Sequence, residues 1–238
     1  MFIIEIAGLH IAVDHIYGRI ARLCHNYIAS GSTYDFMVRA GEEDISGEIK
    51  AAGRKISPAV AETACIYRAI CERLPEYGAY MLHAAAVEYG GRAYAIAAAS
   101  GTGKSTHARM WTLAFGKAAR IINGDKPIVR WSESGARIYG TPWCGKEGLG
   151  LNTSAPLAGI CYLQRGEDNE IWPAGSHESL KRLIRQVYIP RSPGRAALLL
   201  SLLDRTVREI PAWVLACNIS PEAAITAYEA MKNRAAEL

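Results

Sequence analysis

Residues 98–106 read Ala98-Ala99-Ser100-Gly101-Thr102-Gly103-Lys104-Ser105-Thr106, and the fold is decided there. An apolar alternating run from Arg92 delivers this segment, and a stretch with helical spacing follows it. Small residues let successive backbone N–H groups turn inward onto phosphate oxygens, Lys104 then reaches the β/γ oxygens, and the Ser105 hydroxyl ligates Mg²⁺. The expected phosphate-binding set is Ser100, Gly101, Thr102, Gly103, Lys104, Ser105 and Thr106, with ATP as ligand and GTP or pyrophosphate left open. Ala98 stands where the strict motif has glycine, so the match is to its GxGK[ST] heart. A Gly/Ser turn that binds nothing is the bland alternative. The order strand, loop, helix favours the phosphate cradle.

Working outward, Tyr80 to Tyr89, Gly90-Gly91 and Arg92 to Ala99 read as a hairpin that feeds the loop. Beyond the loop's helix, Ala119 to Asn123 is a short apolar strand ending at Gly124-Asp125-Lys126, where a P-loop protein keeps a carboxylate for its metal. Pro127 to Gly140 reads as a second hairpin, and Thr141 to Asn152 as a glycine-rich polar loop of the kind that carries function. Further strands are expected over Ser154 to Gln164, Asn169 to Pro173 and Ala212 to Cys217. Helices are expected over Glu178 to Tyr188, Ala196 to Arg208 and, behind the start signal Ser220-Pro221, over 221–235.

Ahead of residue 79 the pattern differs. Phe2 to Val13 alternates about Gly8 as a hairpin, Ile16 to Ile28 has helical spacing, Tyr34 to Arg39 reads as a strand, and Pro58 to Leu74 carries a helical stripe. Gly41 to Lys55 is polar and matches no template. The expected organisation is a small α/β lobe over 1–78 and a nucleotide-binding core over 79–238. Because hairpins outnumber βαβ units around the nucleotide loop, the core sheet is expected to be mixed and partly antiparallel.

The 238 residues are half hydrophobic and carry a formal charge of +4, with acids and bases mixed. No Lys/Arg block marks a nucleic-acid stripe, and no apolar run is long enough to span a bilayer. The N-terminus meets a charge at Glu5 and has no basic n-region, so a cytoplasmic location is expected. Cys24, Cys65, Cys71, Cys144, Cys161 and Cys217 are scattered without zinc spacing and read as reduced thiols.

Four segments together carry a family resemblance: Leu82-His83-Ala84-Ala85-Ala86-Val87, Ser100 to Ser105, Asn123-Gly124-Asp125 and Thr141-Pro142-Trp143-Cys144-Gly145-Lys146. Over about Tyr80 to Cys217 the chain resembles HPr kinase/phosphorylase-like proteins, a superfamily that includes phosphoenolpyruvate carboxykinase. It is most similar to the compact bacterial members, among them lasso-peptide kinases. The resemblance implies a P-loop kinase core and transfer of the γ-phosphoryl group of ATP, with Mg²⁺, to a hydroxyl, foremost a serine of a peptide or small protein. Two departures stand out. HPr kinases have adjacent aspartates where this chain has Gly124-Asp125, and the compact relatives have serine where this chain has Cys144. The resemblance also places His83 at the position of a histidine near the active site, to orient Asp125 or to act as base.

The roles follow from what phosphoryl transfer needs. Lys104 supplies positive charge, Ser105 holds the metal, and Asp125 binds the metal or accepts the substrate proton. Lys146 and Glu147 lie on the glycine-rich loop, where a lysine would clamp an anionic group. Arg191 and Arg195, in Arg191-Ser192-Pro193-Gly194-Arg195, offer forked donors for an acidic substrate. Trp111 and Trp143 are candidates for stacking on adenine, with burial in the core as the commoner fate of such residues. Two rival functions remain at this stage: a small-molecule kinase acting on an amino acid or sugar, and a nucleotide-binding sensor without turnover. Oligomeric state is open.

Overall fold

A computed structural model describes residues 1–232, so the last three residues of the helix expected over 221–235 lie outside it. Strands β1 (Phe2–Ile6) and β2 (Leu9–Asp14) form the expected hairpin. Ala7 and Gly8 both turn it with positive φ, 55° and 67°, the signature of a type I′ turn. Strand β3 (Phe36–Arg39) joins β2 in parallel.

Three helices cover this sheet: α1 (Arg19–Leu23), α2 (Glu42–Ala51) and α3 (Pro58–Arg73). Helix α1 is much shorter than the stripe over Ile16 to Ile28 suggests. Sheet pairing captures the end of that stripe, for Ile28 is extended and bridges Ile4. Helix α2 fills the unassigned polar segment. Only Ile45 on it is buried, and three acids occupy its first turn, where the helix dipole favours them. Helix α3 has Ser57 as N-cap, Pro58 in its first turn and Ala61, Cys65, Ile66 and Ile70 on its buried face.

The second sheet has nine strands: β4 (Ala79–Met81), β5 (Ala84–Tyr89), β6 (Arg92–Ala97), β7 (Arg120–Asn123), β8 (Ile128–Ser132), β9 (Gly135–Tyr139), β10 (Ser154–Arg165), β11 (Glu170–Pro173) and β12 (Ala212–Cys217). Its order is β4-β8-β9-β10-β6-β5-β7. The long β10 changes neighbour along its length. Its start pairs antiparallel with β9, and its end pairs parallel with β12, while β6 runs parallel along its other edge. The sheet is therefore mixed, as the hairpin-rich sequence implied. The single strand expected over Tyr80 to Tyr89 is broken at Leu82-His83, where Leu82 bridges Val187 and the His83 N–H donates to Gln186 O at 2.6 Å.

Alternation along the strands sends side chains to two cores. On one face Ala85, Ile96, Cys161 and Leu215 meet α4 (Lys104–Phe115) and α7 (Pro221–Lys232), sealed by Tyr94, Trp111, Phe115 and Tyr228. On the other, Ala84, Ala95, Ile160 and Tyr162 meet α5 (Ser176–Leu183) and α6 (Pro193–Glu209). The core of the first sheet runs on into Ala79, Met81 and Ile128, so it crosses residue 78. Among the described residues no helix is long and apolar enough to cross a membrane, and all six cysteines are free.

Candidate functional site

The parallel strands β6, β10 and β12 end at the same edge, where open α/β sheets gather their ligand-binding loops. The loop after β6 is residues 98–103. Gly101 (φ 78°) and Gly103 (φ 117°) take the left-handed conformations that let its amides converge, and Gly103 begins α4 without a side-chain cap. The helix therefore presents uncapped N–H groups and the positive end of its dipole at the loop. Lys104 is 8% exposed and donates from Nζ to the Ala98 carbonyl at 3.0 Å. Burial pulls its ammonium pKa down, and the Asp125 carboxylate opposes that shift. A desolvated cation held only by a carbonyl is a ready partner for phosphate.

Asp125 leaves the end of β7, on the other side of the loop strand. Asn123, fully buried, fixes this turn: its Oδ1 accepts from the N–H groups of Asp125 (2.9 Å) and Lys126 (2.7 Å), and its Nδ2 donates to Thr141 O and Oγ1, both at 3.1 Å. Asp125 Oδ1 lies 3.2 Å from His83 Nε2, and Oδ2 lies 2.7 Å from Lys126 Nζ. Burial works to raise its carboxyl, but the hydrogen bonds from His83 and Lys126 outweigh burial and bring it down to about 2.

With the Gln186 amide turned to satisfy its neighbours, the two hydrogens of its nitrogen face three acceptors, Ala98 O (3.1 Å), His83 O (3.2 Å) and His83 Nδ1 (3.2 Å). That arrangement makes Nδ1 an acceptor, leaves the proton on Nε2 and directs it at Asp125. One amide thus ties the loop after β6 to the His83–Asp125 pair.

The chain matches no family model and no curated protein. It is similar to a solved structure. The HPr(Ser) kinase/phosphatase from Coxiella burnetii aligns with a TM-score of 0.31 and 12% identity, over 54% of this chain and 90% of that one. At such distance the functional reading rests on the residues themselves.

Glycine at position 124 has a steric reason. A Cβ on Gly124 would stand 3.0 Å from Cys144 O and 3.2 Å from Leu149 O, because the 141–152 loop folds over the strand end. Gly145 lies against Asp125 in turn, where a Cβ would meet that of Asp125 at 3.1 Å. Glu147 of this loop pairs with Arg109 on α4 at 2.9 Å, and Lys146 is exposed with no partner among the described residues.

Arg191 and Arg195 are not brought to the phosphate loop. Arg195 pairs with Glu76 (2.8 Å) and Glu72 (3.5 Å), and the backbone N–H of Arg191 donates to Glu72 at 2.9 Å, so this turn is pinned to α3 and the turn after it. Trp111 is wholly buried, and Trp143 packs on Tyr67 and donates to Thr63 O at 3.3 Å. Trp111 is a core residue, and Trp143 is half-buried against the core of the first sheet.

Two cavities flank residues 101–102. One, of about 360 Å³ on the α4 side, is lined by Thr106, Met110, Leu163, Asn218 and Ile219. The other, of about 390 Å³ on the α5 side, is lined by residues 97–102, Tyr162, Arg165, Arg182, Arg185 and Gln186. Asn123, Gln186 and these three arginines escape sequence reading. Only the Asx-turn habit of asparagine in Asn123-Gly124-Asp125 signalled any of them.

Proposed function

We propose that this chain is an ATP- and Mg²⁺-dependent phosphotransferase of the HPr-kinase type that moves a γ-phosphoryl group to a hydroxyl, foremost a serine of a peptide or small protein. The observation that carries the reading is the opposed pair at the strand ends: a buried Lys104 ammonium inside a glycine-turned loop, and an Asp125 carboxylate held ionised beside it. Those residues fit the group required. The uncapped α4 amides and Lys104 would hold the phosphate oxygens, and Ser105 with Asp125 would hold Mg²⁺, which commonly takes one or two protein ligands and completes its shell with phosphate and water.

When bound, Mg-ATP supplies the phosphoryl group, its leaving group and the metal's charge. The protein supplies position. Lys104 neutralises charge on the transferring group, and the Asp125 oxygen not committed to the metal receives the proton of the attacking hydroxyl. A carboxylate held near 2 is a weak base, so it takes that proton late, which suits a loose transition state needing little base assistance. His83 supports this as a positioning residue, donating from Nε2 to Asp125 Oδ1 while Gln186 occupies its Nδ1. The division into a lobe over 1–78 and a kinase core over 79–238, and a cytoplasmic location, belong to the same reading.

The test is transfer from γ-labelled ATP with Mg²⁺ to pools of hydroxyl-bearing peptides, amino acids and sugars, with Asp125→Asn beside the wild type. Label in one pool, made only by the wild type, is the expected result. Equal labelling by Asp125→Asn, or none in any pool despite Mg-ATP binding, overturns the assignment.

A further inference from the structure

The two cavities beside the phosphate loop differ in chemistry. The α4-side cavity has Arg165 as its one charged lining residue and offers Met110, Leu163 and Ile219 to an apolar ring. The α5-side cavity is lined by Arg165, Arg182 and Arg185 and by no carboxylate. Each arginine arrives by a different route. Arg165 ends β10 and donates to Gly101 O at 3.2 Å. Arg182 lies on α5, bonded to Glu178 (2.8 and 3.0 Å) and stacked 5.9 Å above the Tyr162 ring. Arg185 lies in the turn after α5 and has no hydrogen-bond or ion-pair partner among the described residues. Three guanidinium groups line one cavity and only Arg182 has a carboxylate partner, so Arg165 and Arg185 keep their charge and forked donors available to an anion there.

Gln186 decides which reactant that anion belongs to. It lines the arginine cavity, and its amide touches both Ala98 and the His83 that orients Asp125. His83 and Asp125 line neither cavity, but Gln186, which bonds to His83, lines the arginine cavity and not the α4-side one, so the arginine cavity is the one joined to the pair that must meet the attacking hydroxyl. Resting on the phosphotransferase reading, we propose that the α5-side cavity binds the acceptor through an anionic group carried beside its hydroxyl, a phosphate or carboxylate held by Arg185 and Arg182. The α4-side cavity is left to the nucleoside. The acceptor is an acidic molecule, and Arg191 and Arg195, the arginines that sequence spacing suggested, do not select it.

The experiment is calorimetric titration of the protein saturated with Mg²⁺ and β,γ-imido-ATP, so that the phosphate loop is filled. The probes are matched pairs: glycerol 3-phosphate and glycerate against glycerol, and a capped Glu-Ser-Glu peptide against capped Ala-Ser-Ala. At least one anionic probe should bind about tenfold or more tightly than its neutral partner. Arg185→Gln should erase that preference while the affinity for the nucleotide analogue stays within about twofold. Which pair responds tells a small phosphate ester or hydroxy-carboxylate from an acidic peptide. Equal binding of charged and neutral probes overturns the proposal, as does a preference that survives in both Arg185→Gln and Arg182→Gln. A loss of analogue affinity in Arg185→Gln with the anion preference intact also overturns it, assigning the arginines to the nucleotide. Failure of the wild type to bind the analogue counts against the phosphotransferase reading instead, and the same probe pairs without nucleotide then still test the cavity.

Discussion

The N–H of Gly124 donates to the carbonyl of Leu149 at 2.7 Å, and a Cβ at position 124 would stand 3.2 Å from that same oxygen. The bond that closes the glycine-rich loop over the strand end therefore leaves a side chain at its donor tighter than ordinary van der Waals contact, so the loop must give way by a few tenths of an ångström.

Installing the second carboxylate, Gly124→Asp, should thus fail to produce a double-aspartate site. The side chain must push the loop away from β7, at a cost of about 1–3 kcal/mol. Urea unfolding should show the loss, and phosphoryl transfer should fall, not rise.

Asp125 carries a pH signature. Its carboxyl is held at about 2 against an ordinary value near 4, so the folded state keeps its charge where the unfolded chain would protonate. The sign follows: this stabilisation, on the order of 2 kcal/mol, is full above about pH 4 and is lost as pH falls toward 2. A carboxyl-carbon NMR titration should find the low midpoint, and His83→Gln should move it upward.

His107 acts in a higher window. It is 4% exposed on α4, neither ring nitrogen has a partner, and burial lowers its pKa to about 4. The unfolded chain takes up a proton near pH 6.5 and the folded chain does not, so stability falls as pH drops from about 6.5 to 4, by up to ~3 kcal/mol. His107→Leu removes the buried polar ring and its titration. Chemical unfolding at pH 7 and pH 5 should give nearly equal stabilities for this variant, and unequal ones for the wild type.

Lys104→Ala should abolish the rise in melting temperature that Mg-ATP produces in the wild type, because mass action stabilises only a state that binds. Without nucleotide the variant should melt at or slightly above the wild-type temperature, since a buried ammonium held by one carbonyl has been removed. Full retention of the Mg-ATP shift would remove the loop from nucleotide binding.

How much of this was legible depended on how local the cause was. The glycine-turned loop after β6, the hairpin about Gly90-Gly91 and the short strand up to Asn123 are written in adjacent residues, and the structure has all three elements. Helix α2 was not legible, because one buried isoleucine among acids gives no stripe. The break at His83 was hidden for another reason: both sides of it are apolar, and the pairing that makes it comes from Val187 and Gln186, a hundred residues on. Arginines mislead in the same way. In a suggestive Pro/Gly context, Arg195 pairs with Glu72 and Glu76 and Arg191 meets Glu72 through its backbone N–H, whereas Arg182 and Arg185 look like ordinary surface residues of a helix and its end. Only the packing of α5 under the sheet brings them to the loop.

The double allegiance of β10 sets the order of assembly. The phosphate loop hangs from β6, whose parallel partner lies more than sixty residues later, and the stretch that clasps it must also accept β12. Parallel pairing across such separations closes large loops of chain before any contact repays them, and forms slowly. A nascent chain released after Gly150 would hold every residue of the GxGK[ST] motif and still offer nucleotide no rigid cradle. Affinity for ATP during refolding should accordingly appear with the slowest phase, as the last property this protein acquires.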